Sequence, residues 1–220
     1  VDGAMVAFHV SKIVFHLIAA GMFLMVSMIS MKIFSRDYKD GSMILFLSRS
    51  VVRWQYVLGR ITGTWALCLV FMFILHLTIF LTVWLNSGTV ISGYLIASLV
   101  CSINLLFVIA CVCFLSLFMP DFISAVFTMG ILFIGFISDG GYQIINSDIV
   151  KSAIPSAING EAALWRVAYP KVFMLQAYAD AIISKSEFHK MGPIHPLLNL
   201  SLFILLIMML MLGSFNRKDI

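Results

Sequence analysis

The residues with the chemistry to act on a substrate are few and stand far apart. His16, His76, Asn104 and Asp139 each interrupt a long apolar run, and a polar or ionisable group in such a run is by default a functional candidate. His76 and Asn104 are the candidate pathway residues. Each has two readings, as a contact for a passing solute or as a hydrogen-bonding group that ties neighbouring helices together. His76, Asn104 and Asp139 together would make the site of an intramembrane lipid-modifying enzyme. Against that reading, the chain has no H-E-x-x-H, no G-x-S-x-G and no paired intramembrane acids.

Other chemistry is weaker still. Met22, Met25 and Met28 recur at a spacing that could line a path for a soft metal ion, but the chain holds 14 Met and the spacing reads equally well as packing. Cys111 and Cys113 lie two apart, and such residues do not share a helix face. With Cys68 and Cys101 they read as apolar packing residues, so neither a metal site nor a disulfide is expected. No G-x-x-x-x-G-K-[ST] pattern occurs, so ATP is not bound by that route and no cofactor is expected in this chain.

The elements that must carry these residues follow from composition. A chain that is 62% hydrophobic and 11% charged, with a mean hydropathy of +1.07, is no soluble globule, since those carry about 25% charged residues. Between Arg60 and Asp121 there is no Asp, Glu, Lys or Arg, a run far longer than the roughly 20 residues one membrane-spanning helix needs. Breaks in polarity place spans at about 12–34, 60–86, 90–118, 121–139 and 196–214 of one all-α membrane domain. Asn86-Ser87-Gly88-Thr89 and Met119-Pro120-Asp121 supply two tight turns, Pro120 suiting a first helical turn. A β-barrel is excluded, because the apolar residues run continuously rather than alternating.

Basic residues orient the bundle. Six Lys or Arg lie in Lys32–Arg60 and two more in the tail at Arg217 and Lys218, whereas the loop 140–195 balances five bases with acids. The positive side is cytoplasmic. The segment 36–59 and the C-terminus are therefore expected inside, with Val1 outside. Val1-Asp2-Gly3 does not read as a natural start, and a sixth span before it is expected.

The segment Arg36 to Arg60 carries the most specific wording: D-G-S at Asp40-Gly41-Ser42, L-F-L-S-R-S at Leu45–Ser50 and V-R-W-Q-Y-V-L-G-R at Val52–Arg60. It resembles permeases of the ABC-two exporter family, in which an acid-rich turn with Gly-Ser or Gly-Thr leads through a Leu-Leu-Ser-x-Pro run to Arg-x-x-Tyr-x-x-Gly-Lys. Ser50 stands at the usual Pro position and Arg60 at the usual Lys. The tail Phe215–Ile220 is similar to the family's ending. Read physically, Gly41 permits a left-handed or tight turn, Ser42 can cap a helix, and Ile44, Leu45, Leu47, Val51 and Val52 form an apolar stripe beside Arg49 and Arg53. That describes either an interfacial helix anchored by Trp54 and Tyr56 or a coupling helix that seats in a cytoplasmic ATPase.

The resemblance implies the coupling helix. Arg36, Asp37, Lys39, Asp40, Gly41, Ser42, Leu45, Leu47, Ser48, Arg49 and Arg53 would then bind the ATPase. Two ATPase subunits, which bind ATP and Mg, and a second permease copy are the implied partners, besides membrane lipid and an external or periplasmic protein. No nucleic acid is implied. The expected function is a transmembrane subunit that couples ATP hydrolysis to export or to mechanical work; a non-catalytic scaffold and the membrane enzyme above are the alternatives. In the loop 140–195, apolar residues at helical spacing on either side of Tyr169-Pro170 predict two short interfacial helices, forming a gate or a lid. Asp139-Gly140-Gly141 is expected to end the helix before them.

Overall fold

The computed structural model describes residues 3–41, 52–88, 90–145, 169–186, 188 and 194–217, with side chains placed for all of these except 3, 4, 38, 39, 142–145 and 215–217. The described residues form seven helices and no strand: α1 Gly3–Ser30, α2 Ile33–Lys39, α3 Arg53–Ser87, α4 Tyr94–Leu115, α5 Asp121–Ile145, α6 Val172–Ser184 and α7 Pro196–Arg217. Five stretches are long and apolar enough to cross a membrane, namely Met5–Asp37, Arg53–Ser87, Tyr94–Leu115, Asp121–Gly141 and Pro196–Ser214. They coincide with the five spans expected from composition. The outward-facing side chains suit lipid: Leu17, Leu67, Leu85, Phe122, Phe133 and Met209 are all exposed, a continuous apolar exterior that a water-soluble monomer does not carry.

Turn chemistry sets the helix ends. At the end of α3, Gly88 adopts φ +65° and its N–H donates to the Trp84 carbonyl at 2.9 Å, the left-handed stop that glycine makes without a Cβ penalty. Gly41, just beyond α2, also has φ +65°, the left-handed one of the two turns its type permits. Pro120 precedes α5, and its carbonyl accepts the Ser124 N–H at 3.0 Å. Helical bonds persist through the α1–α2 junction, where Met31 N–H donates to Ser27 and Arg36 N–H to Lys32, each at 3.1 Å. One span therefore reaches as far as Asp37.

The core is organised around α4. Two-thirds of its apolar window is buried, against 17–39% for the other four spans, and it packs on α1, α3, α5, α6 and α7. Small residues, among them Ala97, Ser98, Cys101, Ser102, Ala110 and Cys113, let its neighbours approach closely. The four cysteines are free and buried.

Two expectations change. The helix α5 does not stop at Gly140-Gly141 but runs on to Ile145. Each glycine costs a helix about 1 kcal/mol relative to alanine, less than an unpaired backbone group costs away from water. Of the two expected interfacial helices, the first, over 162–168, lies outside the described residues. The second is α6, which starts after Pro170 but is enclosed: Leu175 and Ala179 are fully buried, Met174 and Ile183 nearly so. Its apolar residues cover more than one face, so a single membrane surface could not satisfy them. It runs antiparallel to α4, with Val172 beside Asn104 and Ile182 against Gly93. Of the coupling element expected over 36–59, residues 42–51 lie outside the described residues, while 36–39 belong to α2 and 53–59 to the start of α3.

Candidate functional site: two polar clusters

The first cluster joins the helices on either side of segment 42–51. Asp37, on α2, is buried, and its carboxylate accepts hydrogen bonds from the Tyr56 hydroxyl at 2.5 Å and from the Arg60 guanidinium. Tyr56 and Arg60 lie four apart on α3, one turn, so both face the same acceptor. Asp37, expected on the ATPase-binding face, is thus turned inward and used within the chain. Arg36 and Asp40 stay exposed, 3.5 Å apart, a surface pair of small energetic value. Arg53 opens α3, where the Gln55 side chain accepts the Val52 N–H at 3.3 Å. The Lys39 side chain and all of Ser42, Leu45, Leu47, Ser48 and Arg49 lie outside the described residues.

The second cluster ties α1 to α6. Lys12 Nζ lies 3.0 Å from one Asp180 oxygen and donates to Ser184 Oγ at 2.8 Å, while His16 Nε2 lies 3.3 Å from the other Asp180 oxygen. Gln176 Nε2 sits 3.0 Å from His16 Nδ1, and its Oε1 accepts from Cys101 Sγ at 3.5 Å. A carboxylate only accepts, so the tautomer protonated on Nε2 satisfies both partners of His16. Burial pushes the Asp180 carboxyl up, but the bonds from His16 and Lys12 outweigh it and hold the group below the usual carboxylate range. Beside this chain a cavity of about 370 Å³ opens between α1, α5 and α6, with Phe23, Phe136 and Phe173 in its walls.

The candidate pathway residues are separate from both clusters. His76 is fully buried, stacked on Phe15 with ring centroids 4.4 Å apart, and its Nδ1 lies 2.8 Å from Ser98 Oγ. A serine beside a histidine has the makings of a nucleophile and base, but both are sealed from solvent. Asn104, also buried, donates to the Val172 carbonyl at 3.4 Å, the interhelical role that one of its two readings gave it. His76 and Asn104 bond to different partners, Ser98 and the Val172 carbonyl. The methionines do not line a path, since Met22 is buried and Met28 exposed. No group of three metal-ligating His, Cys, Asp or Glu occurs among the described residues.

The Lys12–Asp180 cluster was missed in the sequence. Two signals pointed to it: Lys12 and His16 stand one turn apart in a span, and Asp180 is a lone acid in an otherwise apolar helix. At the start of α6, the Lys171 N–H donates to Asn199 Oδ1 of α7 at 3.0 Å. Burial lowers the Lys171 ammonium below the usual lysine range, with Asp139 acting in the opposite sense. No protein-family model, curated protein or solved structure matches this chain.

Proposed function

We propose that the chain is the transmembrane subunit of an ATP-driven ABC transporter, seated in a bacterial inner membrane with its C-terminus in the cytoplasm. The observation that carries this reading is the bonding of Asp37 to Tyr56 and Arg60. It fastens together the two helices between which the ATPase-contacting segment 42–51 is strung. A push on that segment would then reach α1–α2 and α3 as one unit. From α3 it would pass to the enclosed α4, against which α3 packs. Two cytoplasmic ATPase subunits, holding ATP and Mg, and a second permease copy complete the assembly. The work done is export of a substrate or mechanical action on an external protein.

The buried Ser98–His76 pair has no opening to substrate. Cysteines placed at Ser48 or Arg49 should crosslink to the stoichiometric partner ATPase. A complex that assembles fully yet gives no crosslink from either position would end the coupling assignment.

A further inference from the structure

A second cavity, of about 470 Å³, opens where α1, α2 and α3 converge at the Arg60 end of the bundle. Three bases line it, Lys32, Arg36 and Arg60, against two acids, Asp37 and Asp40. Both acids are already engaged, Asp37 by Tyr56 and Arg60 and Asp40 by Arg36. Lys32 has no ion-pair partner among the described residues. Arg36 is 79% exposed beside a single carboxylate oxygen of Asp40, which leaves most of its five N–H donors unused. The cavity therefore keeps a positive excess and free donors, the requirements of a phosphate oxygen.

Its other wall is apolar. Ile29 and Ile33 line the same space, and Ile29 is itself exposed on α1. A bare phosphate gains nothing from that wall, whereas a lipid uses both parts. Basic pockets between spans at the positive side of a membrane bind anionic headgroups. We propose that this cavity holds the phosphodiester of an anionic phospholipid, with Lys32 and Arg36 on the phosphate and Ile29 and Ile33 against the first carbons of the acyl chains. The site belongs to the chain whether or not it serves a transporter.

The test uses the full chain purified in detergent without any ATPase, so its outcome is independent of the transport reading. Native mass spectrometry would count bound lipid after exposure to equimolar phosphatidylglycerol and phosphatidylcholine. Phosphatidylglycerol should be retained in preference. Lys32→Gln with Arg36→Gln should lower that retention about tenfold or more, given about fivefold per basic side chain near an anionic surface. The charge-retaining pair Lys32→Arg with Arg36→Lys should keep the preference, as should Lys185→Gln outside the cavity. Equal retention of phosphatidylcholine would overturn the proposal, as would an undiminished preference in the double glutamine variant. Displacement by an equal concentration of inorganic phosphate would show a free-anion site and overturn the lipid assignment.

Discussion

The Asp37 carboxylate and the Arg60 guanidinium meet across 23 residues of chain, and Asp37 is almost wholly enclosed at the contact while Arg60 remains partly open to solvent. A buried carboxylate is tolerable only while its oxygens are bonded. The contact therefore fixes how α2 sits against the start of α3, whatever lies between them. Arg60→Gln should destabilise the chain by about 2–3 kcal/mol, less than the loss of a fully buried pair because Arg60 is half open. Adding Asp37→Asn should recover part of that loss. Unfolding of the purified chain in a denaturing detergent would measure both, and simple additivity of the two substitutions would show that the contact carries no energy.

Glycine at position 93 is required by a neighbour. A Cβ there would run into the backbone carbonyl of Ile182, which cannot give way as a flexible side chain could. Gly93→Ala should thus cost about 1–3 kcal/mol, as overpacking does, and loosen α6 from α4. Gly130 has nothing near its Cβ position, so Gly130→Ala should be neutral or slightly stabilising. Thermal unfolding of the two variants in detergent would separate them, and equal midpoints would rule out a tight α4–α6 approach.

What the sequence could and could not carry follows from the range of the forces involved. The spans, the stop at Gly88 and the start after Pro120 rest on local composition and backbone preference, and all were legible. The enclosure of α6 was not. Its apolar spacing fits a helix on a membrane surface as well as a helix in a bundle, and only the crowding of small residues on α4 decides between them. The same holds for the site. Gly41 could be assigned a left-handed or tight turn from its type, but nothing local pairs Asp37 with Arg60 or Lys12 with Asp180. Those pairings depend on which helices become neighbours.

Acid should release α6 from α1. The Asp180 carboxyl lies below its ordinary range because His16 and Lys12 bond its charged form more strongly than burial opposes it. A depressed carboxyl contributes stability that is fully present above its unfolded value, about 4, and is lost as pH falls through the folded value. The unfolding midpoint of the intact chain should accordingly drop steeply below about pH 4. Asp180→Asn should lower the midpoint at neutral pH and flatten that acid limb. An acid limb as steep in the variant as in the parent would assign the effect to other carboxylates.

Topology can be read with a single reagent, because the four native cysteines are free and buried and give little background labelling. Counting five spans, the basic residues of the Lys32–Arg60 sequence and of the tail are expected on one side, and a positive bias predicts that side to be cytoplasmic. Ser186, beyond the C-terminal end of α6, is exposed and is expected on the opposite side. A membrane-impermeant thiol reagent applied to intact cells should label a cysteine at Ser186 and miss one at Ser214 near the end of α7. The reversed pattern would put segment 42–51 outside the cell, out of reach of a cytoplasmic ATPase, and the transporter reading would fall with it. It would also move the Lys32–Arg36 cavity to the outer leaflet without altering its chemistry, so phosphatidylglycerol retention in detergent would survive.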